Sequence, residues 1–512
     1  MKALIPLFVI LPLAAAFLIP VLAGKIKGFD KYFASLVMLV IAILSLWLLF
    51  VPESYPLVYK IGGWEPVNGI PIGIYFVVDG LSVFMLCIIT VVGFLSAFYS
   101  ISYIAKFTGE KYFYALFCLM VAGMNGVVLA GDLFNLFVFL EISVIASYAL
   151  VAYGIEKQEL EASFKYQVMG GLASLLILLG IALLYWQTKT LNMADIALVL
   201  EGVADKKFIF FTQFLLLAGF GLKAALIPFH AWLPDAHSSA PSPISAMLSG
   251  VLIKAIGIYA IIRLFFNIFM LDANIAWVII VLGSLSMIFG VFLAIGQWDL
   301  KRLLAYHSIS QMGYVVLGVG IGMLILARGG DLKVASLAIA GGLFHLVNHA
   351  VFKGLLFLNA GAIEYRTGTR QLQEMGGLSE KMPITSATSL SASMAISGIP
   401  PFNGFFSKLL IILAAVLGKF YLLAVFAVIV SIITLASFMK VQKYAFYGST
   451  LRRELEKIKE VPFAMSFSMI VMALLCLVLS LLIFPGIREA VLMPAVDSLM
   501  NMGNYGVEIL GY

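Results

Sequence analysis

The sequence has few charged residues and almost no cysteine. Charged residues make up 11% of it, and its 3 cysteines form no CxxC pattern, so neither a disulfide framework nor an iron–sulfur cluster is indicated. It also contains no nucleotide-binding loop and no haem-ligand pair, and we predict no cofactor. Any electron transfer coupled to this chain must therefore occur in another polypeptide. The net charge of +6 is modest and does not require a nucleic-acid partner.

The apolar content of the chain places it in a membrane. Hydrophobic residues make up 63% of the sequence, and its mean hydropathy is +1.09, which is more apolar surface than a soluble domain can bury. Many runs exceed the 18–20 apolar residues that cross a bilayer. The first run, ALIPLFVILPLAAAFLIPVLA, is interpreted as a retained span because no clear cleavage site follows it. We expect an all-α integral membrane protein, a single membrane domain over 1–512 with about fourteen helices.

The charges in the connections predict an orientation. If the N-terminus lies outside, the inner connections contain more Lys and Arg residues than the outer connections. Lys301 is counted on the inner side and Arg263 on the outer side. The positive-inside rule then places both termini outside the cell membrane. The stretch STLRRELEKIKE is expected to form a short surface helix.

Five lysines fall inside predicted spans instead of connections. Lys165 lies near a helix start and can extend its ammonium group to the interface. Lys223, Lys254, Lys353 and Lys408 lie deeper, where a charge costs roughly 2.5–3.5 kcal/mol even on an insertion scale. Four such residues indicate a function beyond structure.

Glu141 is the natural partner for one of these lysines. It lies within the apolar run LFNLFVFLEISVIASYAL, where a lysine nearby would allow both groups to be charged. Asp132 starts the same segment nine residues earlier, roughly on the opposite helix face, which favours a helix cap. Asp79 is likewise expected to be a structural carboxylate at a helix start.

A stripe of basic side chains follows in GGLFHLVNHAVFKGLLFL. His345, His349 and Lys353 are spaced four residues apart, so all three share one helix face. Imidazole exchanges protons near neutral pH, and such a stripe is typical of a proton wire. A metal site lacks a third ligand nearby, and a structural hydrogen-bonding role is the other alternative. His307 in DLKRLLAYHSISQMGYV and His230 beside Pro228 are further candidates.

Prolines interrupt two predicted spans. Pro228 breaks the segment 208–229 close to Lys223, and Pro400 and Pro401 break the segment 384–417 before Lys408. Unwound backbone at membrane depth is tolerated only where protein or water surrounds it. Paired interruptions at corresponding positions indicate an inverted repeat with ion sites at the midplane. We predict two inverted five-helix repeats over 112–266 and 274–446, each broken in its fourth helix, which makes helices 7 and 12 the broken ones.

Five motifs together resemble a known family. KAALIPFHAWLPDAHSSAP, MLSGVLIK, DLKRLLAYHSISQMG, HLVNHAVFKGLLFL and GIPPFNGFFSK are similar to the antiporter-like membrane subunits of respiratory complex I, Mrp-type antiporters and membrane-bound energy-converting hydrogenases. By this resemblance Glu141 pairs with Lys223 of the broken helix seven. Lys254 corresponds to the lysine that bridges the two half-channels.

The resemblance also assigns roles in the second half. His349 and Lys353 match the relay of helix eleven, with His345 on the same face. Lys408 matches the charged residue of broken helix twelve near one exit, a position at which some relatives have glutamate. The short sequence after the last predicted span leaves no room for the lateral helix of the longest relatives, which favours an Mrp D-like or hydrogenase-type subunit.

The predicted function is proton translocation along this Glu/Lys/His relay. The chain is not expected to catalyse a reaction by itself; it would be the ion-translocating subunit of an oxidoreductase complex of the membrane-bound hydrogenase or NADH/quinone type, or of an Mrp complex. Expected partners are other membrane subunits, including further antiporter-like ones, a peripheral redox module and lipid. Alternatives are an antiporter subunit that carries Na⁺ itself, an organic-anion transporter and a structural scaffold. Na⁺ prefers oxygen ligands, and the predominance of lysine and histidine favours protons.

Overall fold

The computed structural model describes residues 2–51, 55–65, 71–269, 271–449, 455 and 457–511, and helices dominate it. The first half contains α1 (Leu7–Leu22), α2 (Phe29–Leu49), α3 (Gly80–Tyr103), α4 (Glu110–Leu129), α5 (Leu133–Val151), α6 (Lys157–Thr188), α7 (Met193–Glu201), α8 (Lys206–Lys223), α9 (Trp232–Ser239), α10 (Ser242–Met247) and α11 (Tyr259–Arg263). The second half contains α12 (Ala273–Ile295), α13 (Leu300–Ala327), α14 (Leu332–Thr367), α15 (Leu378–Lys381), α16 (Pro383–Ser397), α17 (Asn403–Leu417), α18 (Tyr421–Val441), α19 (Phe463–Val478), α20 (Pro485–Val491), α21 (Met493–Met500) and α22 (Tyr505–Leu510).

The surface of the bundle is that of a membrane protein. Twelve helices of the described residues are long and apolar enough to cross a bilayer. Large apolar side chains point outward from several of them, among them Phe17, Leu175 and Leu422, each at least 67% exposed. A soluble monomer does not carry so much exposed apolar surface. The prediction of an all-α integral membrane protein is confirmed.

Aspartate side chains fix the starts of several helices. Asp79 precedes α3, Asp132 precedes α5 and Asp299 precedes α13, and each accepts a hydrogen bond from a backbone N–H of the first turn. This N-cap satisfies one of the donors that a helix start leaves unpaired. The carboxylates therefore mark the ends of spans.

The structure also contains a small two-stranded sheet, which is not predicted from the sequence. Strand β1 (Leu57–Lys60) pairs antiparallel with β2 (Tyr75–Val78), with Leu57 opposite Val78. Strands this short carry too few residues for alternation to be recognised in a sequence. Half of the stretch STLRRELEKIKE, for which a surface helix is predicted, lies outside the described part of the chain.

Both predicted interruptions are present. Helix α8 ends at Lys223, Ala225 has a φ of 53°, and regular helix resumes at α9. Helix α16 ends before Gly398, which has a φ of 77°, and α17 starts five residues later. A side chain at Gly398 would strain this left-handed conformation. The inverted repeats over 112–266 and 274–446 remain a prediction.

The span Ser242–Ile268 is the centre of the bundle. It joins α10 and α11 to three π-helical turns, Leu248–Leu252, Lys254–Ile258 and Leu264–Ile268, and its most apolar stretch is completely buried. A Cβ atom on Gly257 would lie 2.8 Å from the backbone of Ala224. Glycine therefore permits the broken end of α8 to approach the π-helical turn that carries Lys254.

Candidate functional site

The four lysines predicted to lie deep in the spans are buried inside the helical bundle. Lys223, Lys254, Lys353 and Lys408 are each at most 3% exposed. Burying an ammonium group is unfavourable unless charges or hydrogen bonds compensate for the lost water. The partners of each lysine therefore show how its charge is stabilised.

The first lysine has a carboxylate partner and a hydroxyl beside it. Lys223, the last residue of α8, has its Nζ 3.5 Å from Oε1 of Glu141 on α5. Ser174 on α6 donates from its Oγ to the same carboxylate oxygen at 2.5 Å and accepts from Lys223 Nζ at 2.9 Å. The hydroxyl thus connects the two charged groups. The Glu141–Lys223 pair is predicted from the sequence, whereas Ser174 is not, because only packing brings α6 to this position.

Among the described residues, the hydrogen-bond partners of the second lysine are backbone carbonyls. Lys254 Nζ donates to the carbonyl oxygens of Ser249 and Gly250 at 2.7 and 2.5 Å. These residues lie in the π-helical turn before it, and π-helical turns occur often at functional sites. No carboxylate of the described residues forms an ion pair with Lys254. Its charge is therefore stabilised only by dipoles.

The third lysine lies on α14 with the two histidines. Lys353 Nζ donates to the carbonyl oxygen of Leu304 at 2.5 Å and lies 5.8 Å from the centre of the Phe357 ring. A carbonyl and an aromatic face both favour a cation. Neither supplies a full negative charge, so Lys353 resembles Lys254.

The two histidines of the stripe differ in their surroundings. His345 Nδ1 lies 2.9 Å from Ser407 Oγ, and its Nε2 lies 3.2 Å from Gln311 Oε1. His349 is fully buried, and neither ring nitrogen has a hydrogen-bond partner among the described residues, which is unusual for a buried imidazole. Nowhere in the described ranges do three or more His, Cys, Asp or Glu side chains form a group able to hold a metal ion.

The fourth lysine follows the second helix break. Lys408 Nζ donates to the carbonyl oxygen of Ile396 at 2.8 Å and to Ser431 Oγ at 3.2 Å, and it lies 5.0 Å from the centre of the Tyr314 ring. The carbonyl belongs to the last turn of α16, whose negative end favours a cation. The helix break therefore leaves this carbonyl oxygen available to Lys408. In a continuous helix the same oxygen would accept a hydrogen bond from a backbone N–H.

Asp132 and Lys165 have partners other than the four lysines. Asp132 caps α5 and binds the backbone and side chain of Asn135; burial raises its pKa against these hydrogen bonds. Lys165 is 48% exposed and pairs with Glu161 and Asp235 at 2.8 and 3.0 Å.

Two further histidines complete the predicted set. His307 Nε2 lies 2.8 Å from Ser437 Oγ. His230 lies in the irregular segment after Pro228 and is partly exposed.

Two charged groups that the sequence analysis counted in connections are buried. Arg263 forms two hydrogen bonds to Asp79, at 2.6 and 2.8 Å. Burial opposes ionisation of Asp79, but the guanidinium group of Arg263 and the Ser82 N–H hold its pKa below the usual range. Lys301 is 2% exposed and lies 3.5 Å from Glu364. The membrane spans that carry Arg263 and Lys301 therefore extend beyond the apolar runs of the sequence. Each charged group is tolerated there because it is paired inside the protein.

A bundle of membrane-spanning helices with two broken spans and a set of buried lysines defines the chain as an antiporter-like membrane subunit. Residues 130–434 match the family described as "NADH:quinone oxidoreductase/Mrp antiporter, TM". Residues 64–114 match "NADH-Ubiquinone oxidoreductase (complex I), chain 5 N-terminus". The chain belongs to this family, and the predicted resemblance is confirmed.

Individual relatives agree with this assignment. The chain is 37% identical over 451 residues to the D-type subunit of the Na(+)/H(+) antiporter from Alkalihalophilus pseudofirmus, covering 87% of this chain and 88% of the relative. It is similar to a chain of the Mrp complex from Dietzia sp. DQ12-45-1b, with a TM-score of 0.88, 28% identity and 100% and 99% of the two chains covered. It is also similar to a chain of the membrane-bound sulfane sulfur reductase, an archaeal respiratory membrane complex, with a TM-score of 0.86, 29% identity and 99% of both chains covered.

Proposed function

We propose that this chain translocates protons across the membrane as one subunit of a larger complex. The observation that carries the proposal concerns the four lysines predicted to lie deep in the spans, Lys223, Lys254, Lys353 and Lys408: among the described residues, only Lys223 of these four has a carboxylate within ion-pair distance. Ionisable side chains inside a membrane are rare and mark ion or proton pathways by default. Ammonium groups held by carbonyls and hydroxyls can lose and regain a proton without breaking an ion pair. The proposed relay consists of Glu141, Lys223, Lys254, His345, His349, Lys353 and Lys408.

The hydrogen-bond partners support a relay and not a compact substrate site. Each of the four ammonium groups contacts different residues: Glu141 and Ser174, Ser249 and Gly250, Leu304, and Ile396 and Ser431. An organic anion would require several of these groups to converge on one cavity. Separate partners agree with protons passing from one group to the next.

The two helix breaks support the proposed inverted repeats. Each break lies in the fourth helix of its unit, 112–266 or 274–446, and each has a lysine within a few residues. Proposed repeats of this kind place ion sites at the midplane. A superposition of the two units in inverted orientation in an experimental structure tests this assignment.

We infer that partner subunits supply the energy. The similar structures are chains of an Mrp complex and of a respiratory membrane complex, so further membrane subunits, including other antiporter-like ones, are the expected partners. A peripheral redox module is the expected energy source in a respiratory complex; an existing ion gradient would serve in an Mrp complex. Subunits that co-purify with the tagged chain from the cell membrane discriminate between the two. Site-specific labelling from either side tests the proposed location of both termini outside.

Proton translocation in sealed vesicles tests the function directly. We expect Lys254→Ala to reduce translocation at least tenfold, since it removes the lysine between the two halves, while the amount of assembled complex stays normal. Lys206, exposed at the start of α8, provides the matched control, and Lys206→Ala should translocate at the normal rate. Translocation by Lys254→Ala at the normal rate would refute the relay.

Sodium transport is the second candidate, favoured by the name of the 37% identical relative. Na⁺ would need a cluster of oxygen ligands, whereas the ionisable side chains of the proposed relay are lysines and histidines except for Glu141. We therefore expect proton translocation to persist when choline replaces Na⁺ on both sides of the vesicle. Loss of translocation in choline would favour Na⁺ passage through this chain.

A further inference from the structure

A pair of serine hydroxyls lies between two of the buried lysines. Ser249, in the π-helical turn Leu248–Leu252, and Ser308, on α13, are both fully buried, and their Oγ atoms are 2.6 Å apart. They belong to different spans, 59 residues apart in sequence. Neither residue is charged, and the proposed relay does not include them.

Each serine is also connected to one lysine. Lys254 Nζ donates to the carbonyl oxygen of Ser249 at 2.7 Å. At the other end, Ser308 Oγ donates to the carbonyl oxygen of Leu304 at 3.1 Å, and Lys353 Nζ donates to that same oxygen at 2.5 Å. Because Ser308 and Lys353 approach one oxygen atom, their polar groups are close enough for a single water molecule, or a small rotation, to join them.

We infer that Ser249 and Ser308 form the proton-conducting link between Lys254 and Lys353. The inference rests on the proposed function, and it names the groups that carry a proton from the central span to α14. A buried hydroxyl needs only one partner to satisfy its donor, and Ser308 already has one in the Leu304 carbonyl. The short contact with Ser249 is therefore additional, and it joins two lysines that have no hydrogen bond to each other.

The transfer conserves protons and charge. The ammonium group of Lys254 turns from the Ser249 carbonyl to the Ser249 hydroxyl and gives it one proton, directly or through a water molecule. Ser249 passes its own hydroxyl proton to Ser308. The hydroxyl of Ser308 turns from the Leu304 carbonyl toward neutral Lys353 and gives up its proton there. One proton has moved, Lys254 is neutral, Lys353 is charged, and both serines are again neutral hydroxyls. Rotation of the two hydroxyl groups restores the starting arrangement.

Alanine variants of the two serines test the link. We expect Ser308→Ala and Ser249→Ala, made in the full chain within its complex, each to lower proton translocation in sealed vesicles about tenfold, the effect of losing roughly one hydrogen bond in the transition state. The double variant should be no slower than either single variant, because both remove the same route. Ser308→Thr keeps the hydroxyl group and should restore most of the rate.

Ser310 provides the matched control. It is two residues further along α13, is fully buried, and donates to the carbonyl oxygen of Met287 at 2.8 Å, so Ser310→Ala removes a comparable hydrogen bond away from the two lysines. We expect Ser310→Ala to translocate at the normal rate. If Ser310→Ala lowered proton translocation as much as Ser308→Ala, the effect would come from the loss of any buried serine on this helix. That result would overturn the link between Ser249 and Ser308.

The outcomes separate this inference from the proposed function. If Lys254→Ala is inactive while Ser249→Ala and Ser308→Ala translocate normally, the relay stands and the serine link is wrong, which leaves His349 to connect the two lysines. If Lys254→Ala is also active, the proposed function itself is wrong. If Ser308→Ala prevents assembly, Ser249→Ala decides alone, since its side chain is the other half of the same contact.

Discussion

Two of the carboxylate–cation pairs among the described residues differ in geometry and in chemistry. Asp79 and Arg263 are both almost fully buried and form two short hydrogen bonds. Glu141 and Lys223 are 3.5 Å apart, Glu141 is 27% exposed, and the Ser174 hydroxyl bridges them. The Asp79–Arg263 pair is bidentate and is called the closed pair below. The Glu141–Lys223 pair is bridged by a hydroxyl group that can change its hydrogen bonds, and it is called the open pair.

The choice of cation explains the difference. Arginine keeps its proton under all conditions met by proteins and binds a carboxylate through a planar fork, so the Asp79–Arg263 pair is suited to holding α3 against the central span. Lysine is a compact group that can lose its proton when it is buried. The same combination of signs is therefore suited to a structural role at one site and, in the proposed relay, to proton transfer at the other. The expected effects of mutation differ accordingly.

The largest effect is expected at the closed pair. Asp79→Ala leaves Arg263 as an uncompensated buried charge, which costs about 3–5 kcal/mol of stability. We expect a lower thermal unfolding temperature and less assembled complex, with normal proton translocation per assembled complex. The double variant Asp79→Ala/Arg263→Met removes both charges and should recover much of the stability. A stable but inactive Asp79→Ala complex would show that this pair also takes part in transport.

At the open pair the expected effect is on transport. Glu141→Gln keeps the shape of the side chain and removes the charge that stabilises the ammonium form of Lys223. We expect proton translocation to fall about tenfold, equivalent to roughly 1.4 kcal/mol, while the unfolding temperature stays normal. If Glu141→Gln instead destabilises the complex as strongly as Asp79→Ala, the two pairs do not differ in role.

A smaller effect is expected at the bridging hydroxyl. Ser174→Ala leaves Glu141 and Lys223 in place but removes two hydrogen bonds between them, each with a net contribution of about 0.5–1.5 kcal/mol. We expect translocation to fall roughly two- to fivefold, less than in Glu141→Gln. Combining the two substitutions should give less than the product of the single effects, because both act on one network. A fully additive result would assign Ser174 to a separate role.

The smallest expected effect is the pH dependence of the stability that the Asp79–Arg263 pair contributes. The pKa of Asp79 is lowered in the folded protein from its ordinary value of 3.8, so its contribution to stability is complete above that value and is lost as the pH falls through the folded pKa. Between pH 8 and pH 5 we expect this pair to leave the unfolding temperature unchanged. Below about pH 4 the unfolding temperature of the unmutated protein should fall. The unfolding temperature of Asp79→Ala should fall less, because the contribution of this carboxylate is already absent. An equal fall in both proteins would exclude Asp79 as its cause.

Sequence patterns identify residues whose chemistry is unusual for their surroundings. Glu141 and Lys223 stand out as charges in apolar runs, and Pro228 and Pro400 stand out as prolines in spans, so one pair and both helix breaks could be predicted. Ser174, Ser249 and Ser308 do not stand out, because serine is common in membrane helices. Their importance depends on contacts between residues 33 to 59 positions apart.

The end of an apolar run is a poor guide to the end of a span. Arg263 and Lys301 stand where the apolar runs of the sequence end, yet both are buried and paired, with Asp79 and with Glu364. Their partners lie on other helices, so no local pattern shows that the charges are compensated. The π-helical turns around Lys254 are likewise absent from any sequence pattern, because they result from packing against neighbouring helices.

The complete burial of the span Ser242–Ile268 has a consequence for membrane insertion. This segment carries Lys254 and Arg263, and each charge adds to the cost of leaving the translocon for lipid. Asp79 is synthesised earlier and can receive Arg263 at once, whereas α13 and α14, which complete the surroundings of the span, are synthesised afterwards. During biosynthesis the nascent span therefore depends on the earlier helices α3, α4 and α8 to keep it from lipid until α13 and α14 are made.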